Sequence, residues 1–372
     1  MPQTGITSRF IVGSYTEPYG PFRAVGEGLM LIALDHAGHM QRLDSLMLPN
    51  PSFALALDRN LVMAVLETDD DRASIARIGI EGDRLRLLHT IAAPGRIPCH
   101  LDRHPSGRWL AGACYGTGEV FTLPLDEAGH VAEGKMQVAR HRGSSIHPLR
   151  QTSPHPHAVR YSPDGRWLIV PDLGTDKVMS YPLDSAGESD FSAGLAWTSP
   201  PGSGPRLPLF SANGQHLVLV EEISSMLVSL RWDNGALHEN CRVSSLIAPF
   251  AGANTAAGLR WHPSGRVIGV SNRGADSIAL FYFESDGGRL TPWLELPCGG
   301  KKPRDFAFSS CGRWLITSSQ DSDLLALFAF DLDTGRIADT GMRLSVKSPS
   351  NLCAIPQMPG SHRCAGALMP PH

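Results

Sequence analysis

The sequence has no Cys-x-x-Cys pair, no basic block, no acidic tail and no apolar run of about 18 residues. Its seven cysteines are odd in number and widely spaced, which is typical of reduced thiols and not of a disulfide framework. The balance of 33 basic and 36 acidic residues argues against nucleic acid or an anionic membrane as the main partner. The first residues, MPQTGITSRFIVGSYT, lack a basic region followed by a long apolar stretch, so we expect no signal peptide. We therefore predict a cytoplasmic protein that spans no membrane.

Long stretches with helical periodicity are also missing, and so is the Gly-x-Ser-x-Gly motif of many serine hydrolases. The first absence argues against a parallel α/β fold, and the second leaves no marked nucleophile. What is abundant is glycine and proline, with 38 and 29 residues, as in a turn-rich β protein.

A repeat organises the chain. Each copy has a proline, an alternating apolar run, a tight turn and a second apolar run, as in PHAVRYSPDGRWLIVPDLG from Pro156. Copies begin near residues 51, 98, 156, 205, 255 and 303, a period of about 50 residues. Each reads as a β-hairpin whose turn residue tolerates positive φ, followed by further β-like segments. The turn residues are Asn60, Gly107, Gly165, Gly214, Gly265 and Gly312.

Four strands per repeat predict a blade of a β-propeller. The two ends of the chain supply a seventh blade, from residues 10–45 together with 349–355, and their pairing would close the ring. We predict an all-β fold, a seven-bladed propeller with four-stranded antiparallel blades, forming a single domain over residues 1–372. Residues 141–155 are expected to form a loop over one face, and the tail from about residue 358 to be loosely held.

The candidate site follows from the repeat. Equivalent positions in successive blades point to one place, because the blades are related by rotation about the channel. Eight residues before the turn positions stand Ser52, Cys99, His157, Arg206, Ala257 and Arg304, and eight after stand Thr68, Tyr115, Leu173, Glu222, Arg273 and Gln320. A purely structural repeat would hold similar residues at these positions, so their charged members indicate a site at the channel mouth.

The sequence also resembles the lactonase family of seven-bladed propellers, which includes bacterial 6-phosphogluconolactonases and fungal carboxy-cis,cis-muconate cyclases. The resemblance runs from about residue 10 to residue 355. Its motifs are Gly13-Ser14-Tyr15-Thr16, Pro98-Cys99-His100, Arg150-Gln151, Pro156-His157, Asp172-Leu173-Gly174, Gly204-Pro205-Arg206, Asn272-Arg273-Gly274 and Pro303-Arg304.

From the cyclase branch, the resemblance implies an active site of one histidine, two arginines and one glutamate, which fall on His157, Arg206, Arg273 and Glu222. Two positions depart from the family pattern. Leu207 stands where a histidine is usual, and Glu221 stands where an asparagine is usual. The acidic pair leaves open whether Glu221 or Glu222 faces the channel.

These residue types suit acid/base chemistry on an anionic substrate. Arginine forks match phosphate or carboxylate oxygens, and His157 is the best proton-transfer candidate. Glu222 could act as a base on water or orient an arginine. Secondary substrate-binding candidates are Arg304, Arg150, Gln320, Cys99, His155 and Glu221. Each also has a structural reading, since buried polar residues often only tie strands together; we expect that role for Asp172, Glu67 and Asn272.

We predict no cofactor and no metal. The histidines at 141, 147, 155 and 157 lack a clear carboxylate partner nearby and have no helical spacing. The Arg-Trp-Leu runs at 108–110, 166–168 and 313–315 are expected to begin strands that pack between blades.

Three functions remain open. The first is a lactone hydrolase of the 6-phosphogluconolactonase kind, acting on a small anionic lactone by assisted attack of water. The second is a muconate cyclase-like isomerase, and the third is a non-catalytic binding platform. Phosphate and carboxylate make the same demand on arginine, so the sequence hardly separates the first two. We expect a monomer or a weak homo-oligomer.

Overall fold

A computed structural model describes residues 6–18 and 24–356. In these ranges the chain forms 28 strands and two short 3-10 helices, Glu133–Lys135 and Gln320–Ser322. The strands form seven four-stranded antiparallel sheets. The predicted all-β propeller is therefore confirmed. None of the helices in the described ranges is long and apolar enough to cross a membrane.

The seven sheets are the blades, and we number them from the one that holds the N-terminal strand. Blade 1 contains β28 (Pro349–Ala354), β1 (Ile6–Ser14), β2 (Leu29–Asp35) and β3 (Met40–Leu46). Blade 2 contains β4 (Phe53–Ala56), β5 (Leu61–Leu66), β6 (Ser74–Glu81) and β7 (Arg84–Ala92). Blade 3 contains β8 (Pro98–Arg103), β9 (Trp109–Cys114), β10 (Glu119–Pro124) and β11 (Gln137–Arg140). Blade 4 contains β12 (Arg160–Tyr161), β13 (Trp167–Asp172), β14 (Lys177–Pro182) and β15 (Leu195–Thr198).

The remaining three blades repeat the same order. Blade 5 contains β16 (Pro205–Phe210), β17 (His216–Glu221), β18 (Met226–Asp233) and β19 (Ala236–Ser244). Blade 6 contains β20 (Thr255–Trp261), β21 (Val267–Arg273), β22 (Ser277–Glu284) and β23 (Arg289–Pro297). Blade 7 contains β24 (Pro303–Phe308), β25 (Trp314–Ser319), β26 (Leu324–Asp331) and β27 (Arg336–Ser345). The first strand of each blade lies nearest the channel.

The ring is closed by the two ends of the chain. Strand β28 pairs antiparallel with β1, with Phe10 opposite Ala354 and Ser14 opposite Pro349. This is the predicted closure, and it gives β1 a partner strand on each side, β28 and β2. The predicted domain extent of 1–372 and the tail from about residue 358 include residues outside the described ranges, so both stay predictions.

The inner hairpins turn on glycine where the repeat places it. Gly107, Gly165, Gly214, Gly265 and Gly312 have φ between 68° and 76°, in the left-handed region that glycine adopts without a steric cost. The expectation of positive φ at Asn60 is wrong, since this residue is not among those with positive φ. Its backbone N–H instead binds Oδ1 of Asp58 at 2.7 Å, an Asx-type turn that asparagine and aspartate favour.

Apolar side chains fill the space between neighbouring blades. The tryptophans of the Arg-Trp-Leu runs lie at the start of β9, β13 and β25, as expected. Trp109, Trp167 and Trp314 pack against turn glycines of the following blades, Gly187, Gly235 and Gly38. A Cβ on Gly38 would lie 2.8 Å from the Trp314 ring, so this close approach requires glycine. Such packing fixes the angle between blades and hence the positions of the residues at the channel.

Candidate active site

One end of the channel collects the residues that the repeat predicts. Near it lies a cavity of about 40 Å³. Five of the six residues that stand eight positions before a turn residue line this cavity: Ser52, Cys99, His157, Arg206 and Arg304. Ala257, the sixth, does not. Ser350 of the closing blade also lines the cavity. These five side chains therefore share one cavity, whereas none of the residues eight positions after the turns lines it; that any of them binds substrate stays a prediction.

Glu222 is the centre of the charged cluster. Its Oε1 accepts a hydrogen bond from Nη2 of Arg150 at 2.6 Å. Its Oε2 lies 2.8 Å from Nε of Arg206 and 3.0 Å from Nη2 of Arg273. Burial by itself would raise the pKa of Glu222, but Arg273, Arg150 and Arg206 outweigh it and hold the pKa well below its usual value. Glu222 is therefore ionised and a weak base.

Backbone carbonyl groups of blade 6 help to hold two of these arginines. Arg206 donates from Nη1 to the oxygen of Ala257 at 2.7 Å, and Arg273 donates from Nη2 to the oxygen of Ala256 at 3.4 Å. Their side chains are 9% and 10% exposed, so solvent screens their charges weakly. Since three guanidinium groups surround one carboxylate, the cluster has an excess of positive charge and favours an anion.

The third arginine comes from the loop over residues 141–155. Arg150 is more exposed than the other two, with 36% of its side chain accessible. Besides Glu222 it contacts Tyr115, whose hydroxyl oxygen lies 3.3 Å from both Nε and Nη2. Residues 141–155 form the expected loop, without strand or helix, and contribute a charged side chain to the cluster.

His157 lies beside this cluster. Its Nε2 is 3.9 Å from Oε2 of Glu222, beyond hydrogen-bond distance, and its ring meets the Tyr115 ring edge-on at 5.4 Å. Burial and the positive charge of Arg206 lower the pKa of His157 well below its ordinary value, against the opposite effect of Glu222. The imidazole is therefore neutral at pH 7, so one ring nitrogen has a lone pair that can accept a proton, and the lowered pKa makes it a weaker base than a free imidazole.

The two adjacent glutamates have different roles. Glu221 is fully buried and binds Ser199 Oγ at 2.7 Å, Ser224 Oγ at 2.9 Å and the guanidinium of Arg242. These partners lie away from the arginine cluster, because successive residues of an extended chain point in opposite directions. The structure therefore places Glu222, and not Glu221, in the cluster.

Three other candidates lie near or outside the cluster. Cys99 directs its sulfur to the carbonyl oxygen of His157 at 3.3 Å, and burial raises the pKa of its thiol well above the ordinary value. His155 stacks on Tyr115 with ring centres 4.3 Å apart and contacts the Tyr115 carbonyl oxygen through Nδ1 at 2.7 Å. Gln320 is fully buried in the second 3-10 helix and is not among the residues that line the cavity.

The cavity lining also includes a carboxylate that the sequence left without a site role. Glu67 lines the cavity and accepts hydrogen bonds from the Tyr15 hydroxyl at 3.2 Å and from Ser52 Oγ. The guanidinium of Arg304 lies 5.1 Å from the centre of the Tyr15 ring. The expected tying role of Glu67 is thus correct, but the same carboxylate also faces the cavity. Tyr15 could have been found from the register, because Ser14 pairs with Pro349 as Glu221 pairs with Pro205.

The histidines of the loop have a partner that the sequence did not reveal. His141 binds Asp172 through Nδ1 at 2.7 Å and Tyr181 through Nε2 at 3.0 Å. The statement that no carboxylate lies near these histidines is therefore wrong, since Asp172 comes from the next blade. In residues 6–18 and 24–356, no group of three or more histidine, cysteine or acidic side chains could hold a metal ion.

Comparison with known proteins bears on the architecture and on the residues just described. The family model for "Lactonase, 7-bladed beta-propeller" matches residues 9–354. This chain belongs to that lactonase family. The match extends from β1 to the last residue of β28, so it includes both strands that close the ring.

Two similar proteins are named as lactonases. The chain is 28% identical to the 6-phosphogluconolactonase of Bacillus subtilis over 274 residues, covering 72% of this chain and 77% of that one. The periplasmic gluconolactonase of Pseudomonas aeruginosa superposes with a TM-score of 0.85 at 31% identity, covering 94% of this chain and 99% of that one. A Lactobacillus plantarum protein superposes with a TM-score of 0.82 at 28% identity, covering 94% and 98%. The lactonase propeller is therefore matched over nearly the whole length of the solved relatives.

Proposed function

We propose that this protein is a lactone hydrolase that opens an anionic sugar lactone, as the names of its B. subtilis and P. aeruginosa relatives suggest. The observation that carries the proposal is the cluster of three arginines around Glu222, with a neutral histidine beside it. Such a cluster offers both a place for an anionic group and a base for water.

The arginines would hold the phosphate or carboxylate of the substrate and stabilise developing negative charge. A guanidinium presents a planar fork of N–H donors that matches these oxygens. In a partly buried site with little screening, such donors can stabilise an oxyanion by several kcal/mol, of order 3 for one donor.

His157 is the proposed base. It would take a proton from water as the oxygen of that water bonds to the lactone carbonyl carbon. The carbonyl oxygen becomes an oxyanion and then reforms its double bond as the ring C–O bond breaks. The leaving alkoxide takes the proton back from the imidazolium, so the product is a hydroxy acid and His157 is regenerated. Glu222, held ionised by three arginines, would instead organise the guanidinium groups and stabilise the imidazolium.

The lining of the cavity favours a sugar over a muconate. Ser52 and Glu67 present hydroxyl and carboxylate oxygens there, groups that form hydrogen bonds with sugar hydroxyls. Muconate derivatives carry carboxylates instead, which a carboxylate on the wall would repel.

The proposal is tested by following hydrolysis of 6-phosphoglucono-δ-lactone and glucono-δ-lactone against the spontaneous rate, with 3-carboxy-cis,cis-muconate as a third substrate. We expect hydrolysis of a sugar lactone that is lost in His157→Ala and Arg206→Ala. Turnover of the muconate alone would favour the cyclase. No turnover, with variants that bind the same partners as the parent, would favour a binding platform.

We also propose a cytoplasmic location and a monomer or weak homo-oligomer with a small anionic substrate as its partner. The Pseudomonas relative is named as periplasmic, so location deserves a direct measurement. Cell fractionation and light scattering after size exclusion would decide both points.

A further inference from the structure

The loop that carries Arg150 is anchored by one buried carboxylate, that of Asp176. Ser145 Oγ donates to its Oδ2 at 2.5 Å and Gln151 Nε2 to its Oδ1 at 2.7 Å. The loop is closed on itself, because Ser145 N donates to the oxygen of Gln151 at 2.9 Å. Asp176 thus holds both ends of the short segment that presents Arg150.

The same carboxylate also holds the segment that leads into blade 5. The backbone N–H groups of Gly202 and Gly204 donate to Oδ2 and Oδ1, each at 2.7 Å. The carbonyl oxygen of Gly204 in turn accepts the backbone N–H of Glu222 at 2.7 Å. Gly204 stands two residues before Arg206, so this peptide connects Asp176 to both Arg206 and Glu222.

Four donors therefore converge on a side chain that belongs to a residue only 2% exposed. Two come from the Arg150 loop and two from the segment before Arg206. Since a carboxylate has about four lone-pair directions, it can join both segments with every direction used. Charge-assisted bonds of this kind are short and directional, which suits them to fixing a distance.

We propose that Asp176 is a positioning residue that sets the spacing of Arg150 and Arg206 around Glu222. It does not touch the substrate and acts through these arginines. The inference deepens the proposed function and rests on it for its effect on turnover.

The repeat supplies an internal comparison. Asp176, Asp276 and Asp323 each stand eleven residues after a turn glycine, with left-handed φ values of 56°, 53° and 55°. In blade 7, Asp323 Oδ1 accepts the backbone N–H of Ser348 at 2.8 Å, as Asp176 accepts those before Arg206. The segment held by Asp323 leads to Ser350 and carries no arginine of the cluster. Asp323→Asn is therefore a matched control in register and backbone conformation.

The test measures kcat and KM of the full chain with 6-phosphoglucono-δ-lactone for Asp176→Asn, Asp323→Asn, Arg150→Ala and the double variants Asp176→Asn/Arg150→Ala and Asp323→Asn/Arg150→Ala. In either orientation the amide introduced at position 176 would set an NH2 group against the backbone N–H of Gly202 or Gly204. We expect kcat/KM to fall at least about tenfold in Asp176→Asn, since small misplacements of substrate-binding groups are costly. Because the segment held by Asp323 leads to Ser350 at the cavity and carries no arginine of the cluster, any fall in Asp323→Asn should be the same in the parent and in the Arg150→Ala background, whereas Asp176→Asn should cost at least about threefold less in the Arg150→Ala background.

A second readout needs no substrate. Hydrogen exchange of peptides covering 145–151 and 202–206 should accelerate in Asp176→Asn and not in Asp323→Asn. Ser145→Ala, which removes one of the four bonds, should accelerate exchange in 145–151 and keeps the test open if Asp176→Asn does not fold. Equal losses of kcat/KM in both Arg150 backgrounds, or unchanged exchange, would overturn the proposal. If the parent hydrolyses no lactone, the proposed function fails while the exchange data still test the anchoring.

Discussion

Replacing Glu222 by glutamine keeps the shape of the side chain and removes the negative charge at the centre of the arginine cluster. In the parent, three guanidinium groups lie 2.6, 2.8 and 3.0 Å from its carboxylate oxygens. The glutamine oxygen can accept from one or two of them, but its NH2 group would face the remaining donor. Arg206 and Arg273 are almost fully buried, so they would keep their desolvation cost without a compensating charge.

The magnitude follows from this geometry. Each contact at about 4 Å between charge centres corresponds to roughly 4 kcal/mol at an effective dielectric constant of 20, and most of the sum is offset by desolvation. Removing one partner of a buried pair typically costs about 3–5 kcal/mol of the free energy of unfolding. For a chain of 372 residues, with an unfolding entropy of about 2.1 cal/mol/K per residue, we expect Tm to fall by about 4–6 °C.

The assay is thermal unfolding of parent and Glu222→Gln with and without inorganic phosphate. An anion present at a concentration about 100 times its Kd for the folded state stabilises that state by about 2.7 kcal/mol. Because the variant has an uncompensated cationic site, phosphate should raise its Tm by more than it raises that of the parent, while lactone turnover falls. An unchanged Tm, or the same phosphate effect in both proteins, would refute the reasoning that Glu222 balances the arginines.

Three further predictions concern the site. His157→Gln should lower kcat/KM by about 10²–10⁴-fold. In the parent, the pKa of His157 lies below its ordinary value, so kcat/KM should stay flat at neutral pH and fall only below about pH 6.5. A fall that begins above pH 7 would exclude a neutral His157 as the base. Arg273→Lys removes the planar guanidinium fork, so KM for 6-phosphoglucono-δ-lactone should rise about tenfold while KM for a neutral lactone changes little. Equal changes in the two KM values would mean that the phosphate of the substrate does not bind Arg273. Cys99→Ser should retain activity. Iodoacetamide at pH 8 should leave the parent active, because burial holds the pKa of the Cys99 thiol well above its usual value. Rapid inactivation with labelling at Cys99 would contradict this prediction.

The fold could be predicted because its information is local and repeated. A tight turn such as that at Gly165 recurs in blade after blade, a tryptophan begins the next strand in three of them, and each repeat needs a neighbour to bury its apolar face. Ring closure could be predicted because each end of the chain supplies only some of the strands of a blade. The conformation of Asn60 was missed because an Asx turn produces the same reversal without positive φ.

Site residues could be predicted where they occupy equivalent positions of the repeat. Those that reach the site from a loop or from a partner strand could not. His157, Arg206 and Arg273 could be placed because they occupy equivalent positions around the channel. Arg150 could be placed only as a secondary candidate, since it reaches Glu222 through an irregular loop held by Asp176. The choice between Glu221 and Glu222 depends on one peptide at the end of β17, and periodicity does not resolve the direction of a side chain there.

Closure of the ring by β28 has a consequence for synthesis of the chain on the ribosome. Ser350 Oγ donates to the carbonyl oxygen of Ser52 across a separation of 298 residues, and β28 is the inner strand of the blade that begins with β1. A nascent chain that stops before Pro349 has six complete blades but no inner strand on the first. Strand β28 is synthesised after the other 27 described strands and completes the first blade, so ring closure is a late and non-local step of folding.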